Sequence, residues 1–287
     1  MDSDRKNTRI VRHQSAYEFL ANCGGWLSEQ EDLHNGVLSL AHALGSGKHI
    51  HKHPFIFAHM ERNGEIVGCA IFAEPDGITL SEMPVDVADK FFVDLKSDIQ
   101  APSRIHGPRQ SANQLADHYA VLTNSMAALH SEWNVYRLDA SPTQIQTAKG
   151  TVRIGNQSDG DIVRAWGKLY DVEKPANVHI EKFLIRKLED GLLYFWVDQK
   201  PRALLTLSGV NCSGNRISSV FTPEKYRGKG YATSLVQEMS ADLLGSGKTF
   251  VTLNTEIGDA AERIYEKLGY YIVGERVSFT LNPATPA

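Results

Sequence analysis

Between Arg216 and Ala232 the sequence reads R-I-S-S-V-F-T-P-E-K-Y-R-G-K-G-Y-A, and its residue types are those of an anion site. Ile217 to Phe221 is apolar and β-branched enough for a strand, which Pro223 forbids from continuing. Arg227 to Ala232 then supplies two glycines in a basic loop. From Tyr231 on, apolar or small residues recur at Ala232, Leu235, Val236, Met239, Leu243 and Leu244, a helical period. Gly228 to Tyr231 therefore lie at a helix N-terminus. Unpaired N–H groups and the helix dipole favour negative charge there, and glycine lets the backbone come close to it.

Which anion is bound is suggested by a resemblance. The order R-x-x-G-x-A at Arg227, Gly230 and Ala232, after T-P-E-K-Y, resembles the acetyl-CoA signature of the GCN5-related N-acetyltransferase superfamily. Downstream, I-Y-E-K-L-G-Y at Ile264 to Tyr270 resembles the family's second signature, and one helix, one strand and one short loop fit between the two. The resemblance implies that Arg227, Gly228, Lys229, Gly230, Tyr231, Ala232 and Thr233 cradle the pyrophosphate of coenzyme A. Charge-assisted bonds of roughly 1.5 to 3 kcal/mol each suffice to hold it. It further implies that Val220, Phe221 and Thr222 hold the pantetheine and face the thioester, and that Tyr265 protonates the departing thiolate. Its unperturbed pKa of about 10 lies near enough to a thiol's ~8.5 for that role. The bland reading of Tyr265 is a tyrosine half-buried on an amphipathic helix.

Two departures stand out. The loop E-I-G-D-A-A puts Gly258 and Asp259 where relatives often carry a side-chain amide that contacts the pantetheine arm. Some relatives also place a glutamate base early on the strand before the loop, and the matching position here is Arg216, which cannot serve. Glu173, His179, Glu238 and Glu256 are bases by type only. An α-amino group of pKa about 8 needs less help than a lysine of about 10.4, so the missing glutamate points to small amines or amino acids.

The 287 residues suit two domains of roughly 140 residues each, both large enough to bury a core. Hydrophobic content of 42%, charged content of 22% and a net charge of -4 give no general attraction to nucleic acid or anionic membrane. Cys23, Cys69 and Cys212 form no C-x-x-C and lie far apart in sequence, as reduced thiols in a cytoplasmic protein do. No run has the apolar length of a signal peptide or membrane span.

In the first half, a polar leader precedes helical patterns at Tyr17 to Leu27 and Leu33 to Leu44. Strands follow at Phe55 to Met60, Ile66 to Ala73 and Gly77 to Met83, with Asn63-Gly64 as a hairpin turn. A helix at Val85 to Leu95, a long one at Ser111 to Leu129 and a strand at Asn134 to Leu138 complete it. The place of the phosphate loop is assigned to Gly107 to Ala112, G-P-R-Q-S-A, where Pro108 removes a donor and no second glycine follows. This half reads as a degenerate acetyltransferase-like domain. His49, His51 and His53 alternate near His42 and His59. No carboxylate or cysteine completes a metal site in that pattern, and no metal is assigned. L-G-S-G-K, at Leu44 to Lys48 and Leu244 to Lys248, has the look of a P-loop but closes a helix instead of opening one.

A polar stretch, 140–150, reads as the linker. The second half then gives a strand at Thr151 to Gly155, helices at Gln157 to Tyr170 and Asn177 to Leu188, and strands at Leu192 to Val197, Ala203 to Val210 and Ile217 to Phe221. The phosphate-loop helix, a strand at Phe250 to Thr255, a helix at Asp259 to Leu268 and a sheet-closing strand at Tyr271 to Leu281 follow. The expectation is an α/β protein with mixed sheets in two tandem acyl-CoA N-acyltransferase-like domains: residues 1–139, degenerate, and 151–282, catalytic, with a tail at 283–287. Acetyl-CoA is the expected acyl donor and a small-molecule amine the acceptor, in a ternary complex without metal, with a monomer favoured over a dimer. The rival is a non-catalytic acyl-CoA-binding or sensor protein.

Overall fold

The computed structural model describes residues 8–47, 52–95, 99, 102–145, 148–173, 180–208 and 213–282. The first half runs β1 (Thr8–His13), α1 (Ala16–Glu29), α2 (Glu31–Gly45), β2 (Lys52–Arg62), β3 (Glu65–Glu74), β4 (Gly77–Leu80), α3 (Val85–Leu95), β5 (Arg104–Pro108), α4 (Arg109–Thr123) and β6 (Met126–Leu138). The second half repeats that order: β7 (Thr151–Ile154), α5 (Gly160–Glu173), α6 (Ile180–Glu189), β8 (Leu193–Asp198), β9 (Lys200–Ser208), β10 (Gly214–Phe221), α7 (Tyr231–Gly245), β11 (Phe250–Glu256), α8 (Glu262–Lys267) and β12 (Tyr271–Asn282).

All these strands form one twelve-stranded sheet in the order β1-β2-β3-β4-β5-β12-β6-β11-β10-β9-β8-β7. Its pairs are antiparallel except β4 with β5 and β10 with β11. Helices cover both faces, and each half has a core on each face.

The centre of the sheet differs from the expectation that 271–281 closes the second half. β12 lies between β5 and β6, pairing Arg276 with Pro108 on one side and Tyr271 with Arg137 through to Asn282 with Met126 on the other. β6, from the first half, takes the place beside β11, with Val251 opposite Leu138. The halves thus exchange their last strands. Tyr136 and Leu138 of β6 are buried in the second half's core, and Val277 of β12 in the first half's. The buried Glu31 carboxylate at the start of α2 adds a further tie, accepting from the N–H groups of Ser213 at 3.0 Å and Gly214 at 3.1 Å.

Three local readings are also corrected. The polar leader contains β1, whose Arg9 and Arg12 suit a strand at the end of a sheet. The helix expected to reach Leu129 stops at Thr123, where Asn124 turns left-handed at φ 48° and its N–H bonds Ala120. Pairing with β12 overrides the helical preference of the residues beyond. Third, the first-half connection equivalent to the phosphate loop is the one between β4 and α3, not Gly107 to Ala112, because β4 feeds a helix and then a parallel neighbour as β10 does. It is only Ser81 to Pro84, S-E-M-P, without a glycine.

Other expectations hold. Asn63 and Gly64 both have positive φ, 55° and 85°, as a type I′ hairpin requires. Both L-G-S-G-K copies close helices, with the Ser46 N–H bonding His42 and Leu44 and the Ser246 N–H bonding Asp242 and Leu244. Among the described residues, no helix is long and apolar enough to cross a membrane.

Candidate active site

The site is made by two strands that part. β10 and β11 pair from Gly214 with Phe250 to Ile217 with Leu253 and no further. Just beyond, Ser219 sits at φ 50° and the register of β10 against β9 shifts between Ser218 and Phe221. Such a bulge bends the strand and re-aims its side chains. The gap widens into a cleft of about 710 Å³ that reaches the start of α7.

Val220, Phe221, Thr222, Arg227, Gly228, Gly230, Tyr231, Ala232, Thr233 and Tyr265 all line this cleft, and Lys229 does not. Gly228 and Gly230 are left-handed at φ 73° and 76°. A Cβ on Gly228 would meet nothing within 4 Å, so the demand for glycine there is conformational and leaves the backbone open to a ligand. Gly230 is the N-cap of α7 with no side-chain cap bond, which leaves the first-turn N–H groups to whatever occupies the cleft. The buried Thr222 Oγ1 has no hydrogen-bond partner among the described residues. A left-handed cradle, uncapped N–H groups and an orphaned hydroxyl fit a diphosphate-bearing ligand.

Arg227 is tied down. Its Nε donates to the Thr222 carbonyl at 2.9 Å, and another guanidinium nitrogen pairs with Glu173 at the end of α5. Tyr265, 7% exposed, packs against Tyr136 and Tyr270 at ring-centroid distances of 6.0 and 6.1 Å. Burial, then the negative charge of Asp259, pushes its pKa well above the usual tyrosine value. The hydroxyl therefore keeps its proton at neutral pH and can donate a hydrogen bond.

At the position of the relatives' glutamate stands Arg216, half-buried with its Nε enclosed. Burial lowers its pKa to about 10, which leaves it cationic at neutral pH and no base. Among the carboxylates considered, Glu173 and Glu256 line the cleft and Glu238 does not, while His179 lies outside the described residues. Trp133 and Asn254 also line the cleft. Trp133 belongs to β6, and no local pattern in the sequence places a first-half residue here; only the strand exchange does.

The arrangement matches known proteins at the level of fold. Residues 207–277 match the family model described as "FR47-like protein". No curated protein matches the sequence. Among solved structures, a GNAT-family acetyltransferase from Colwellia psychrerythraea is 11% identical with a TM-score of 0.58, covering 95% of this chain and 99% of its own. A tandem GNAT protein from the clavulanic acid biosynthesis pathway is 13% identical with a TM-score of 0.55, covering 98% and 99%. A Drosophila protein reaches a TM-score of 0.66 at 12% identity, covering 97% and 99%. The class is an α/β fold with a large mixed sheet built from a repeated unit. The fold is that of the GCN5-related N-acetyltransferase superfamily in its tandem form, as the two signatures suggested.

Proposed function

We propose that this chain is an acetyl-CoA-dependent N-acetyltransferase that passes an acetyl group directly to a primary amine, a small molecule or amino acid, in a ternary complex. The observation that carries this reading is the convergence of the splayed β10, the left-handed glycines at the start of α7 and Tyr265 on one cleft. Residues 151–282 hold the site, with Trp133 added to its wall by the exchange of β6 and β12, and residues 1–139 are the degenerate copy, joined by 140–150. Acetyl-CoA supplies the acetyl group as a thioester. Val220 to Thr222 hold the pantetheine arm, and the α7 N-terminus with Gly228 and Gly230 holds the diphosphate. The Tyr265 hydroxyl donates a hydrogen bond to the leaving sulfur. With Arg216 in the base position, the amine enters neutral or gives its proton to water at the cleft mouth, which favours acceptors of low pKa. The protein acts as a cytoplasmic monomer.

Gly230→Asp tests the cradle. It forces a Cβ into a left-handed backbone and sets a carboxylate beside the diphosphate, so coenzyme A binding should weaken by about 2 kcal/mol or more. Unchanged affinity in a folded variant, measured by isothermal titration, would remove the loop assignment. Stoichiometry is a second check. The β4–α3 connection has no glycine and its Glu82 carboxyl lines the neighbouring pocket, so one coenzyme A should bind per chain. Two equivalents would show that the first half is competent.

The second reading, a non-catalytic acyl-CoA sensor, draws on the absent glutamate and on the replacement of the loop amide by Gly258 and Asp259. It requires binding with no turnover on any amine.

A further inference from the structure

On the opposite half of the molecule, the sequence pattern of alternating histidines at 49, 51 and 53 lies largely outside the described residues, but a different set of ligating side chains comes together. His13 closes β1, Cys23 lies on α1 and His59 on β2, and their ligating atoms all lie within 4.8 Å of one another. His13 Nε2 is 2.8 Å from His59 Nδ1, and the Cys23 sulfur is 3.8 Å from the first and 3.4 Å from the second. Cys23 is fully buried, His59 3% exposed and His13 8%. Cys69, opposite His59 in the β2–β3 register, is also buried.

The outer nitrogens decide what the inner ones carry. His59 Nε2 is 3.0 Å from Glu61 Oε1, and an ionised carboxylate only accepts, so that nitrogen holds the hydrogen and Nδ1 presents a lone pair. His13 Nδ1 faces Glu18 Oε1 at 3.7 Å and has no hydrogen-bond partner among the described residues. With His13 neutral, a hydrogen placed between the two rings, on its Nε2, would leave its Nδ1 a buried bare lone pair facing a carboxylate. With both hydrogens on the outer nitrogens, two lone pairs and a sulfur converge on one point, and a cation there removes the conflict. Each imidazole then has a carboxylate behind it, the outer-shell arrangement that orients metal-bound histidine.

We propose that His13, Cys23 and His59 form a zinc site of tetrahedral geometry that staples β1 and α1 to β2. Tetrahedral Zn–N and Zn–S bonds imply N–N edges of about 3.3 Å and N–S edges of about 3.5 Å. The two N–S edges bracket that value, and the N–N edge must open by about half an ångström on loading. The site is structural, since its three ligands are buried in the core of the first half, and it is independent of the acetyl-transfer reading.

The test uses the full chain, produced with zinc and desalted into metal-free buffer. Elemental analysis should find one zinc per chain, and removing it with a chelator should lower Tm by about 5 °C or more, restored by zinc. Cobalt loaded into the stripped chain should show tetrahedral d–d bands and a thiolate-to-cobalt charge-transfer band, lost in Cys23→Ser. Because Cys23→Ser alters a fully buried core position, His13→Gln gives a second reading, in which zinc content should fall at least tenfold. A wild-type chain with under a tenth of an equivalent of zinc and no cobalt–thiolate band would overturn the proposal. Full zinc retention in folded Cys23→Ser or His13→Gln would do the same, by placing the metal elsewhere.

Discussion

Replacing Tyr265 by phenylalanine is expected to cut turnover by roughly 10² to 10⁴, the range for losing one positioned acid, while coenzyme A affinity barely changes. The ring stays packed against Tyr136 and Tyr270, so only the hydroxyl is removed. The upward shift of its pKa sharpens the role. A tyrosine whose ionised form is disfavoured by burial gives up its proton uphill, so its effect comes through a hydrogen bond to the sulfur as negative charge develops. The deficit of the variant should shrink as pH falls, because bulk acid then assists the thiolate. A weakly basic acceptor is needed so that amine protonation does not mask the trend. Wild-type turnover in Tyr265→Phe, with chemistry shown to be rate-limiting, would make the tyrosine a packing residue.

The second large effect comes from the exchanged strands. Val277 on β12 is fully buried in the core of the first half, although it stands near the end of the chain. Val277→Asp places a carboxylate there with nothing to pair it and should cost about 3 kcal/mol or more, a large share of a domain's stability. Hydrogen exchange should show the loosening in β5 and α4, which flank β12, before it reaches β8 and β9. Loosening confined to residues 151–282 would contradict the strand order.

These two variants also mark where the sequence was readable. The strand, loop and helix from Gly214 to Gly245 are each dictated by neighbours in the chain: β-branched residues, Pro223, two glycines that take positive φ, and an apolar period that begins at Tyr231. Local signals of that kind fix the left-handed loop that opens α7. The strand exchange is not local: β6 pairs with β11 and β12 with β5 and β6, partners far from them in the chain. The same holds for Trp133 in the cleft. The β4–α3 connection escaped notice because it lacks the glycines that make its counterpart visible, so that G-P-R-Q-S-A, one strand later, drew the assignment. The cysteines were far apart in sequence, yet Cys23 and Cys69 meet where α1 packs on β3, and the histidines that join Cys23 are 10 and 36 positions from it.

The central claim is that the cleft between β10 and β11 moves an acetyl group from coenzyme A to an amine. Thiol release from acetyl-CoA, followed over a panel of small amines and amino acids alongside calorimetric titration of the cofactor, tests it most directly. One equivalent of acetyl-CoA should bind per chain, and at least one amine of low pKa should release free coenzyme A at a rate that depends on its concentration. No binding would contradict the cleft assignment, and tight binding with no amine-dependent release across the panel would contradict catalysis and leave the sensor reading in its place.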